Sequence, residues 1–147
     1  MLAEHFELVP VCPEVAIGLG TPRAAIRLTG DPEQPRATGS RDPSLDVSEA
    51  LRNYAGHAAA ELHDICGYIF MQKSPSCGLE RIKVYQANGY PARQRASGLY
   101  AARFRELRPD LPVEEEGRLC DPVLRENFIT RVLAYADWQQ LRSEGLS

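Results

Sequence analysis

The chain has 147 residues and a formal net charge of −3; 44% of it is apolar and 25% charged. This is the material of one globular domain with a sizeable core, and it excludes a disordered or fibrous chain. Weak acidity excludes a general attraction to nucleic acid or anionic membranes, so any such contact has to come from a local patch.

No apolar run is long enough for a membrane helix, and Met1-Leu2-Ala3-Glu4-His5 lacks the charged and apolar regions of a signal peptide. A cytoplasmic location is therefore expected, with no membrane partner. In a reducing compartment the four cysteines read as thiols or ligands and not as a disulfide framework.

In chain order, Phe6 to Val11 predicts a buried strand. Cys12-Pro13-Glu14 follows, then an apolar, glycine-bearing stretch to Gly20. Thr21-Pro22-Arg23 predicts a turn and Ala25 to Leu28 a short strand. Residues 29–45, rich in proline, glycine and charge, read as a loop or lid. Asp46 opens a helix with Glu49 three positions on, as in a capping box. Its apolar face carries Val47, Leu51, Tyr54, Ala58, Leu62 and Ile65, and Gly67 is placed to stop it. Tyr68 to Met71 is a second buried strand, ending in Lys73-Ser74-Pro75-Ser76-Cys77-Gly78. Segments flanking Asn88-Gly89 predict a hairpin. Leu99 to Leu107 is a short helix, Leu111-Pro112-Val113 a third strand, and Asp121-Pro122 the capped start of a helix reaching about Arg142. Short strands alternating with amphipathic helices predict an α/β fold, Rossmann-like, with a mostly parallel sheet flanked by helices.

Cys12 and Cys77 share a context, each just past a predicted strand and next to proline. The carboxyl ends of parallel strands line the ligand crevice of open sheets, so the two thiols can converge there. The plain alternative is a pair of cysteines packing as small hydrophobes. Glu14, two residues after Cys12, is a candidate general base or an ordinary surface charge. Ser74 and Ser76 either orient a ligand or close a turn. Cys66 reads as core and Cys120 as part of a polar loop. His5, His57 and His63 lack ligand spacing. Glu114-Glu115-Glu116 reads as a solvated face, the alternative being one carboxylate placed in the crevice from a strand end, and Arg93 with Arg95 reads as a solvated basic hairpin, the alternative being a phosphate contact.

The motifs Phe6-Glu-Leu-Val-Pro-Val-Cys-Pro-Glu-Val15, Lys73-Ser-Pro-Ser-Cys-Gly78 and Glu114-Glu-Glu-Gly-Arg-Leu119 resemble the thiouracil desulfidase family, formerly domain of unknown function 523. The segment Asp121 to Tyr135 looks like the longer branch of that family, linked to 4-thiouridine in tRNA, where a second domain follows. The resemblance implies a 4Fe–4S cluster held by three cysteines, with Cys12 and Cys77 as two of them. It further implies Glu14 managing the proton of an attacking water and Ser74 positioning the substrate, a thiolated uracil as base, nucleoside or tRNA. The family's first cluster cysteine lies in a Ser-x-Cys-Leu-Leu-Gly motif after an N-terminal strand, and no such segment precedes Phe6. The expectation is a single domain, 1–147, that is N-terminally incomplete and lacks the family's first strand and its third ligand. An unpaired strand edge would then favour a homodimer.

Three readings remain. The first is an iron–sulfur-dependent, non-redox desulfidase. The second is a non-catalytic remnant or interaction domain keeping the fold without the cluster. The third is a two-thiol redox or zinc module.

Overall fold

The computed structural model describes residues 6–19 and 25–145. Their element order is α1 (Pro13–Ala16), β1 (Ile26–Asp31), β2 (Gln34–Gly39), α2 (Ser48–Glu61), β3 (Tyr68–Phe70), β4 (Val84–Tyr85), α3 (Leu99–Leu107), β5 (Val113–Glu115), a 3₁₀ turn (Arg118–Cys120) and α4 (Pro122–Ser143).

The α/β class is as expected; the sheet is not. Two small sheets form where a single, mostly parallel one was predicted. In the first, of order β2-β1-β4, β1 pairs antiparallel with β2, from Ile26↔Gly39 to Asp31↔Gln34, and parallel with β4 through Leu28↔Val84. The second is the parallel pair β3-β5, with Tyr68↔Val113 and Phe70↔Glu115 in register.

The predicted lid at 29–45 is largely this β1–β2 hairpin. Asp31 closes its tip by accepting the Glu33 N–H on its carboxylate (2.9 Å), the turn chemistry expected of aspartate. Pro35 is tolerated because β2 is an edge strand. The inward side of β2 carries Pro35, Ala37 and Gly39, residues too small to give a hydrophobic alternation in the sequence.

The strand predicted over Phe6 to Val11 does not form. Leu8 and Val9 are exposed, and no described strand pairs with the segment. An apolar run becomes a strand only where a neighbour takes up its N–H and C=O groups.

Helix α2 begins two residues after its predicted cap. Asp46 still accepts the Ser48 N–H (2.9 Å), while the Ser48 hydroxyl accepts the Ala37 N–H (2.8 Å) and so joins α2 to the edge of β2. The core lies between these parts: Leu28, Ala37 and Val84 from the first sheet, Leu51, Ala55 and Ala58 from α2, Phe70 from β3, and Leu99, Tyr100 and Phe104 from α3. Tyr68 stacks on Phe70 at 4.0 Å and meets the edge of Phe104 at 4.8 Å, so β3 seats on α3 through aromatic contacts. A smaller cluster of Leu119, Phe128 and Val132 fastens α4 to the remainder. None of the described helices is long and apolar enough to cross a membrane.

Candidate functional site

Cys12 is the N-cap residue of α1, in extended conformation, and Pro13 fills the first helical position without costing an N–H that the helix would use. Only one helical turn follows, with the Ala16 N–H donating to the Cys12 carbonyl (3.0 Å). Because Phe6–Val11 is not a strand, Cys12 sits at a helix start and not at a strand end. Cys77 does follow a strand, seven residues past the end of β3.

The Cys77 loop closes on itself. The Ser74 hydroxyl accepts the N–H groups of Ser76 (3.2 Å) and Cys77 (3.0 Å), and the Gly78 N–H reaches the Ser74 carbonyl (2.8 Å). Helix α3 then clamps the loop. The first N–H groups of a helix have no partner within it; here Leu99 donates to the Pro75 carbonyl (3.1 Å) and Ala101 to the Ser76 carbonyl (3.0 Å). Gly98 makes the approach possible, since a Cβ there would lie 2.5 Å from the Ser76 carbonyl carbon and oxygen.

A hydrogen bond joins the two motifs. The fully buried Ser76 donates its hydroxyl to the Glu14 carboxylate at 3.0 Å, across 62 positions of sequence. The Cys12 and Cys77 sulfurs are within electrostatic reach of each other. Burial pushes the Cys77 thiol up to about 12, with the Glu14 and Cys12 charges adding to the shift and the Ser74 hydroxyl opposing it. Cys77 is thus a neutral thiol at physiological pH and not a free low-pKa nucleophile.

Three tyrosines back the pair. Tyr54 stacks on Tyr100 at 5.6 Å, and the hydroxyls of Tyr68 and Tyr100 bond at 2.9 Å. All three phenols are raised, first by burial; Cys12 adds to the shift at Tyr54, and Cys77 adds to it at Tyr68 and Tyr100. Sequence reading had Tyr54 as a core position on α2, and nothing in the helical spacing marks its nearness to the thiols.

The other cysteines stand elsewhere. Cys66 precedes β3, whereas Cys77 follows that strand's far end. Cys66 donates to Gln139 Oε1 (3.3 Å) beside a groove lined by His63, Asp64 and Gln140. Cys120 is exposed at the end of the 3₁₀ turn that leads into α4. Arg93 and Arg95 are exposed, as a solvated loop requires. The acidic triplet corrects its reading: Glu114 and Glu115 are only 7% exposed, and of the three Glu116 alone is on the surface.

A 4Fe–4S cluster of the implied kind needs a third thiolate near Cys12 and Cys77, and Cys66 and Cys120 are placed away from the pair. Among the described residues, no group of three or more His, Cys, Asp or Glu stands together so as to hold a metal ion. The described residues therefore do not complete the ligand set of such a cluster.

Comparison with known proteins bears on the same residues. The model of the 2-thiouracil desulfurase family matches residues 1–116. No curated protein matches the chain. Among solved structures, the chain is similar to the 4Fe–4S-dependent thiouracil desulfidase TudS, with 27% identity over 79% of this chain and 72% of that one and a TM-score of 0.50.

Proposed function

The chain belongs to the 2-thiouracil desulfurase family, and from that premise we propose that it removes sulfur hydrolytically from a thiolated uracil at the Cys12–Glu14–Cys77 site. The observation that carries the reading is the Ser76–Glu14 hydrogen bond (3.0 Å), which brings the Cys-Pro-Glu and Ser-Pro-Ser-Cys-Gly motifs into one site.

The overall reaction replaces C=S by C=O. Water oxygen bonds to the ring carbon, the carbon–sulfur bond breaks, and sulfur leaves with the two hydrogens of the water, so no electrons are gained or lost. Glu14 takes the proton of the attacking water as general base. Ser76, by donating to Glu14, fixes the carboxylate's orientation. The Ser74 hydroxyl accepts two loop N–H groups and bears on the Cys77 sulfur, so Ser74 stands where it can orient the base beside Cys77. Cys12 and Cys77 would supply two thiolate ligands to an iron–sulfur cluster, whose ligand set the described residues leave incomplete. The substrate is a free thiolated base or nucleoside, with 4-thiouridine in tRNA as the wider scope.

The same ligand count favours a second reading, a non-catalytic domain that keeps the fold. Anaerobic reconstitution with iron and sulfide, an iron count, and sulfide release from 2-thiouracil, 4-thiouracil and 4-thiouridine separate the two. The desulfidase reading expects bound iron, release of sulfide, loss of iron in Cys12→Ala and Cys77→Ala, and a rate about 100-fold or more lower in Glu14→Gln with iron retained. An iron-free protein that releases no sulfide would establish the non-catalytic reading.

A further inference from the structure

The acidic triplet at the end of β5 has no part in the chemistry above, yet two of its three side chains are buried. They do different things because neighbouring residues on a strand point to opposite faces. Glu114 faces arginines, with Arg118 Nε at 2.7 Å and Arg131 at 3.9 Å. Glu115 faces the Cys77 loop, where its carboxylate accepts the Leu79 N–H at 3.2 Å, inside the protein. A buried carboxylate without such donors is costly, and a bond to a charged acceptor is stronger than one between neutral groups.

The loop held in this way has two strained ends. Lys73 has φ 63° and Arg81 φ 65°, the only positive-φ residues other than glycine among those described. Such conformations are uncommon for these residue types and persist where surrounding structure enforces them. They bracket residues 74–80, the segment containing Cys77. On one side, backbone groups of α3 hold the segment: Gly98 donates to the Gly78 carbonyl (2.7 Å), and Leu99 and Ala101 to the carbonyls before Cys77. On the other side lies β5. It runs parallel to β3 with Glu115 in register with Phe70, so Glu115 reaches the strand end from which the loop departs.

We propose that Glu115 is a positioning residue for Cys77: by accepting the Leu79 N–H it latches the hinged 74–80 loop against β5 and so fixes where the Cys77 thiol stands. The functional weight of that placement rests on the desulfidase reading; the latch itself does not.

The test is the rate at which iodoacetamide alkylates each cysteine of the full chain, located by mass spectrometry, together with hydrogen exchange at the Leu79 amide. In Glu115→Ala, Cys77 should alkylate about tenfold faster and the Leu79 amide should lose protection, with Cys66 unchanged. Glu115→Gln keeps an acceptor oxygen and should restore both values, while Glu116→Ala should behave as wild type. Glu115→Asp withdraws the acceptor by one methylene and should reproduce the acceleration even if the alanine variant folds poorly. Wild-type alkylation of Cys77 in both Glu115→Ala and Glu115→Asp overturns the latch, and so does equal acceleration of Cys66, which would mean general loosening. These readouts need no turnover, so a failed desulfidase assay leaves the latch standing, and a failed latch leaves the assay standing.

Discussion

Cys77 shows how far its surroundings alter a single group. Its thiol is moved from an ordinary 9.0 up to about 12, foremost by burial. Between those values the unfolded chain has released a proton that the folded chain keeps. The contribution of this group to stability is therefore complete below pH 9 and is lost as pH rises toward 12. Tyr68 and Tyr100, also raised, act in the same direction at the alkaline end. Urea unfolding of the metal-free protein should show a midpoint that falls from about pH 9 upward, and Cys77→Ser should delay that fall toward the tyrosine range near pH 10. Tyr100→Phe should cost about 1–3 kcal/mol at neutral pH, because the partly buried Tyr68 hydroxyl loses its partner at 2.9 Å. At this scale the sequence marked the two motifs that hold Cys12, Glu14, Ser74 and Cys77, and the structure joins those motifs through Ser76 and Glu14. Which acid of the triplet turns inward was not legible, since a run of three acids reads first as solvated until the strand register shows where each side chain points.

The site also depends on how elements meet. Helix α3 was plain in the sequence, since Tyr100, Phe104 and Leu107 fall on one side and Pro109 closes it, although Leu107 is exposed. Its role as the clamp of the Cys77 loop was not, because the contacts run through backbone N–H and C=O groups that every residue type carries. Gly98→Ala tests the clamp. The new Cβ would stand 2.5 Å from the Ser76 carbonyl, a backbone neighbour unable to move aside, and the substitution should destabilise the protein by about 2–3 kcal/mol in chemical denaturation. The β1–β2 hairpin was missed for a related reason. Small residues on the inner side of β2 leave no hydrophobic period, and its prolines look like loop residues until the strand is seen to lie at an edge. Phe6–Val11 erred the other way: composition suited a strand, but no neighbour among the described residues pairs with it.

Taken whole, the molecule has a main core and a smaller one, and the family match to residues 1–116 ends before α4 begins. Helix α4 is nonetheless tied in. Phe128 is 2% exposed, and Arg108 donates both to the Leu62 carbonyl (3.0 Å) at the end of α2 and to the Tyr135 hydroxyl (3.3 Å) on α4. Phe128→Ala should therefore lower the stability of the whole chain by about 3 kcal/mol in one cooperative transition, with no separate early melting of α4 by circular dichroism. The α/β class followed from the alternation of strands and helices. The division into two sheets did not, because β3, β4 and β5 are two or three residues long and their partners are set by the packing of α2 and α3.

The bond between Ser76 and Glu14 has a kinetic side. It closes 62 residues of chain, a closure with an entropy cost of about 4 kcal/mol if the intervening chain were featureless. The β1–β2 hairpin and α2 lie within that span and form from near-neighbour contacts, so they shorten the free chain before the ends can meet. The Cys12 and Cys77 motifs should thus be joined late in folding; Cys12 stays exposed in the folded chain, while the Cys77 sulfur is open to solvent until the loop closes over it. Whatever the finished site is to hold has its easiest access during that interval, and oxidants have theirs then as well.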